Sequence, residues 1–142
     1  MVLQNLLIQN SFLVERNIGT AAPSAGQRIS FVDVPTLRNV RIYGVQCISE
    51  TQLTKSPNNA TVVSALGCAG AILTLNVRAL DNSAEDIYQY PCFDLVPSSN
   101  GGLIRWFNGL VIDLPKSYIT ITDATNQSAS ESFVFNFIFR KN

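Results

Sequence analysis

The chain contains no histidine. That absence removes Ser-His-Asp and Cys-His nucleophilic catalysis, the commonest general base near neutral pH, and most zinc chemistry. Charge is scarce as well: Asp, Glu, Lys and Arg make up 14% of the 142 residues, against about 25% in an ordinary soluble domain. The two signs cancel to a net charge of zero, so the basic footprint that neutralises phosphates is missing. Residues 1–27 hold one cation, Arg16, directly after Glu15, and the nearest thing to a basic cluster, Arg28, Arg38 and Arg41, is interrupted by Asp33. Nucleic acid is not expected as the main partner.

Long apolar runs are also lacking. The opening run Leu6-Leu7-Ile8 is short and has no charged segment before it, so neither a signal peptide nor a membrane span of ~18–20 residues is expected. Synthesis in a cytoplasm without export follows as the expectation. The three cysteines, Cys47, Cys68 and Cys92, are odd in number and widely spaced, which suits neither a disulfide framework nor a zinc site. They read as reduced, buried small apolar residues. Gly67 and Gly70 lack the Lys-Ser/Thr that follows a phosphate-binding loop.

Carboxylates could act without histidine, as in glycoside hydrolysis. The candidates Asp81, Glu85, Asp86 and Asp94, however, are spaced as a solvated loop would space them. The run Asp81–Asp86 offers hard oxygen ligands for calcium but lacks the glycine and distal Glu of an EF-hand loop. It reads as a polar turn. No catalytic, cofactor-binding or metal-ligating residue is assigned, no cofactor is expected, and the chain reads as a non-enzyme.

What the chain does have is alternation. Arg28–Val34, Leu37–Ile48, Ala60–Leu66, Ala71–Leu80 and Ile87–Val96 read as strands with turn chemistry between them. Leu73, Leu75, Val77 and Ala79 share one face, and in Leu37–Ile48 the alternation puts Val40 and Ile42 opposite Arg41, Tyr43, Val45 and Cys47. Asn108-Gly109, between Leu103–Phe107 and Leu110–Leu114, predicts a hairpin with a two-residue turn. Tyr118–Thr122 alternates again, with Ile119 and Ile121 inward. Ser132–Arg140 places Phe133, Phe135, Phe137 and Phe139 on one face, a stripe that must be covered. No convincing helix is found in the body of the chain. Crossover helices are therefore absent, and the fold class is all-β: a two-sheet antiparallel β-sandwich of about eight strands.

Residues 1–27 read as an N-terminal arm and flexible join, and 28–142 as the sandwich domain. Within the arm, Leu6, Ile8 and Phe12 form an apolar side that the domain has no evident need for. The charge deficit is filled by Asn, Ser, Thr and Gln, and the seven Arg outnumber the three Lys. Such a surface is easily desolvated and suits subunit contact. Trp106 has three readings: a core residue, an interface anchor or a sugar-stacking platform. Leu6, Ile8, Phe12 and Trp106 are the candidate interface residues.

Alternating strands at this density, an apolar N-terminal arm, low charge and the aromatic final strand Phe133–Phe139 resemble the small single jelly-roll structural proteins of virions. The likeness is to capsid, penton or minor capsid proteins of bacteriophages and other icosahedral viruses, and over residues 28–142 it is one of architecture. It implies a jelly-roll-like fold whose subunits pack side by side as a homo-oligomer, a pentamer or trimer, with other virion proteins as partners. The virion is then its location, after synthesis in the host cytoplasm. The absence of an Arg-rich arm departs from genome-binding coat proteins and favours a penton, vertex or decoration role. The second reading is a carbohydrate-binding or adhesive sandwich module, with Trp106, Tyr88 and Tyr90 as its contact residues.

Overall fold

The period-2 pattern resolves into eight strands in a computed structural model that describes residues 10–38, 40–77, 86–97 and 104–141. The strands are β1 (Asn10–Asn17), β2 (Arg28–Ser30), β3 (Val40–Ile48), β4 (Ala71–Val77), β5 (Asp86–Pro91), β6 (Arg105–Leu110), β7 (Tyr118–Ile121) and β8 (Ser132–Lys141). They form two antiparallel four-stranded sheets, ordered β1-β8-β3-β6 and β2-β7-β4-β5. The pairs β1–β8, β2–β7, β3–β6 and β4–β5 are those of one long antiparallel ribbon. Rolling that ribbon brings β8 beside β3 and β7 beside β4. This is the jelly-roll order, built on the two-sheet sandwich that the alternation predicted.

The interior is set by the inward face of each strand. Phe133, Phe135 and Phe137 from β8 are fully buried, together with Phe31. Phe31 meets Phe135 and Phe137 edge-on at centroid distances of 6.2 and 6.4 Å. Ile42, Val45 and Cys47 from β3 join Leu73 and Leu75 from β4 and Ile119 and Ile121 from β7. Each such side chain contributes about 1.5–3 kcal/mol by leaving water, so β8 is central because its aromatic stripe needs the most cover.

Four sequence expectations change. Strand β3 does not alternate throughout: its register shifts between Ile42 and Gly44, and Val40, Ile42, Val45 and Cys47 all end up buried. A bulge adds one residue to the ladder and resets which side faces in, so strict alternation mis-sided Val45 and Cys47.

The expected Asn108-Gly109 hairpin is absent. β6 runs straight through both residues and pairs with β3, as Gly44↔Trp106 and Ile42↔Leu110. Phe107, Asn108 and Gly109 thus oppose Tyr43 alone. Gly109 has φ +87°, and a Cβ there would lie 3.1 Å from the Tyr43 ring. Its left-handed backbone serves the bulge instead of a turn.

Residues 60–66 are not a strand. Thr61 and Val62 make isolated bridges to Lys55 and Ser132. A single helical turn, α1 (Ala65–Cys68), follows, with the Ser64 hydroxyl accepting from Gly67 N at 3.1 Å.

Residues 10–17, read as part of the arm, are edge strand β1, paired with β8 along their whole length. Ile18 is buried, and Gly26 N donates to Ile121 O at 2.7 Å. The sandwich therefore includes residues 10–27.

Candidate interaction surface

The outer face of the β1-β8-β3-β6 sheet is where the exposed tryptophan lies. Phe107 points inward from β6, where its ring is 5.9 Å from Tyr88 and 6.0 Å from Tyr90. Its neighbour Trp106 is therefore on the outer face, 54% exposed. Gly44, opposite Trp106, explains how the indole settles on the sheet. A Cβ on Gly44 would lie 2.7 Å from Ile104 Cγ2 and 3.2 Å from both Ile138 Cδ1 and Trp106 Cε3. Three apolar side chains thus close over a bare backbone. In this cluster Ile138 on β8 is covered and Trp106 is the exposed member, and Leu13, 41% exposed, is a separate apolar group on the edge strand β1 at the other side.

Of the candidate interface residues, Trp106 is exposed as such a role requires. Phe12 is half-buried and packs edge-on against Phe139 at 4.5 Å and tilted against Phe137 at 6.3 Å. It belongs to the domain's own core, because its place in β1 puts it on the inward side. Leu6 and Ile8 lie outside the described residues. Trp106, Tyr88 and Tyr90 do not make one aromatic platform: the two tyrosines face inward, where Arg105 lies 4.9 Å from the Tyr90 ring. Burial, with Tyr88 as a neighbour, raises the Tyr90 pKa against the opposing pull of Arg105.

The opposite end of the same sheet is clamped by a carboxylate that sequence inspection passed over. Glu15 on β1 accepts hydrogen bonds from the hydroxyls of Ser56 (2.5 Å) and Ser132 (2.8 Å) and from Asn58 N (2.9 Å). Partial burial pushes its pKa up, but these donors outweigh that and hold it below the ordinary value. The loop at 56–58 is thereby tied to β1. The only sequence signal was an acidic residue inside an apolar alternation.

The three cysteines, distant in sequence, converge in the core. Cys47 Sγ and Cys68 Sγ are 3.6 Å apart, and all three thiols are buried and free. For Cys47, the Cys68 contact lowers the pKa, while the Cys92 contact and burial raise it further and prevail. Cys68 is raised by its bond to Cys47 and by burial. These are inert thiols.

Among the described residues no group of three or more His, Cys, Asp or Glu could hold a metal ion. Of the loop carboxylates, Asp86 and Asp94 are exposed, and Asp81 and Glu85 lie outside the described residues. No helix among the described residues is long and apolar enough to cross a membrane. Family models, curated proteins and solved structures yield no match to this chain.

Proposed function

We propose that the chain is a structural subunit of a virion, of the penton, vertex, minor capsid or decoration type, that assembles through subunit packing into a closed ring of three or five copies. Jelly rolls serve mainly as capsid domains, lectins and cupins, and the fold alone does not choose among them. The space between the sheets, where a cupin would hold its ligand, is filled here by Phe31, Phe133, Phe135 and Phe137, and the chain has no histidine to ligate a metal there.

The observation that carries the assembly reading is Trp106, more than half open on a sheet face beside Ile104 and Ile138. Exposed tryptophans beside other apolar groups mark contact sites. The low charge of the whole chain points the same way. A carbohydrate-binding role is the second reading, supported by a polar cleft on the other sheet.

The test is the mass of the purified chain in solution across a hundredfold range of concentration. A fixed stoichiometry is the expected result. A strict monomer at every concentration would remove the assembly reading.

A further inference from the structure

The outer face of the β2-β7-β4-β5 sheet is mixed: Ile87, 60% exposed, lies on its edge strand β5, and a polar group lies toward β2. Ile29, Leu73, Leu75, Ile119 and Ile121 turn inward, which leaves Arg28 and Ser30 of β2, Tyr118 of β7 and the largely covered Asn76 of β4 on the outer side. Where β7 begins, these four join Pro115 and Lys116 to line a cleft of about 410 Å³. That is within the size range of small-ligand sites.

The wall of the cleft is built rigidly. The Asn76 side-chain amide donates to Lys116 O, and Asn76 N donates to Ser117 Oγ at 3.0 Å. The Ser117 hydroxyl donates to Asp113 O at 2.9 Å, and Asp113 N donates to Asn76 O at 2.8 Å. The 113–117 turn is thus pinned to β4 without help from any ligand.

The lining has a definite chemistry. Among the described residues no carboxylate lines the cleft. The Arg28 guanidinium sits 4.3 Å from the centroid of the Tyr118 ring. Stacking uses the face of the guanidinium and leaves its in-plane N–H donors for a bidentate acceptor. Ser30 Oγ accepts from Val32 N at 3.0 Å, so its proton remains available to donate. Asn76 uses its amide nitrogen on Lys116, which leaves its oxygen as an acceptor. The cleft therefore offers the Arg28 guanidinium as a planar two-pronged donor, with Lys116 also on its lining, and a hydroxyl donor and an amide acceptor beside them. A ligand that matches has one carboxylate and neighbouring hydroxyls.

We propose that this cleft binds an acidic sugar residue, with the carboxylate on Arg28 and ring hydroxyls on Ser30 and Asn76. The site lies on the sheet opposite the Trp106 face and does not depend on assembly, since one copy supplies every residue.

The full chain is titrated with sodium glucuronate and followed by amide NMR, with glucose and sodium sulfate in parallel. Saturating shifts at Ser30, Asn76 and Tyr118 are expected with glucuronate alone. Arg28→Gln should weaken binding about tenfold or more, the loss typical of a charge-assisted pair. Arg28→Lys should weaken it too, because the fork is lost. Ser30→Ala provides a second, smaller loss at a residue with little structural burden. No saturable shift into the tens of millimolar, or equal binding by Arg28→Gln, overturns the proposal. Sulfate matching glucuronate would reduce the site to an anion contact, and glucose matching it would remove the need for Arg28. Either result also overturns it.

Discussion

Truncating Trp106 to alanine probes the outer sheet face directly. A tryptophan side chain exposes up to about 250 Å² when free, and 54% of Trp106 remains open on the folded subunit. Covering the remaining roughly 130 Å² in a contact would contribute about 3 kcal/mol per site at ~25 cal/mol per Å². Losing it should weaken association by about 100-fold for each such contact. The half already buried against Gly44 and Ile138 also contributes to the fold, so the variant should melt lower as well. The two effects separate if association is measured by sedimentation equilibrium at a temperature where circular dichroism shows both proteins folded. Association is expected to fall by about two orders of magnitude. A folded Trp106→Ala chain that associates as tightly as the parent would refute the reasoning, because the exposed indole would then face water in the assembly too.

Two further outcomes follow from the groups that the fold brings together. The Glu15 carboxylate is held below its ordinary pKa of 4.5, so its stabilising effect is complete above that value and is lost as pH falls through the lower folded-state value. The stability difference between the parent and Glu15→Gln should therefore shrink on acidification below about pH 4.5; denaturant melts across that range check it, and a constant difference would count against the clamp. The buried thiols of Cys47, Cys68 and Cys92 should resist a thiol reagent in the native state and all three should react in denaturant; rapid native labelling of Cys47 or Cys68 would contradict the burial.

Much of the fold was legible because its signals are local. The phenylalanines of Ser132–Arg140 alternate without interruption, and Ile119 and Ile121 do the same, so the period alone placed them inward. Two of the misreadings, the Asn108-Gly109 hairpin and the sides of β3, share a cause in the irregular pairing of β3. Asn108-Gly109 carries the chemistry of a tight turn, but positive φ at glycine suits a bulge equally well. Only the Tyr43 ring lying against Gly109 decides between them. The same irregularity turned Val45 and Cys47 inward, which no strictly alternating pattern could indicate.

The β1 segment was read as part of an arm because the sequence did not show which neighbour it would pair with. Trp106 was singled out with three readings left open. Its exposure depends on Phe107 taking the inward position, and that depends on Tyr88 and Tyr90 from a strand of the other sheet.

By itself, then, the order of residues determined the all-β class, the inward stripe of β8, the low charge and the lack of histidine chemistry, since periodicity and composition act along the chain. Tertiary structure alone decided the rolled strand order, the convergence of Cys47, Cys68 and Cys92, the Glu15 clamp, and the cleft shared by Arg28, Asn76 and Tyr118. Each of these depends on segments dozens of residues apart meeting in space, and the pattern of any one segment carries no record of its distant neighbours.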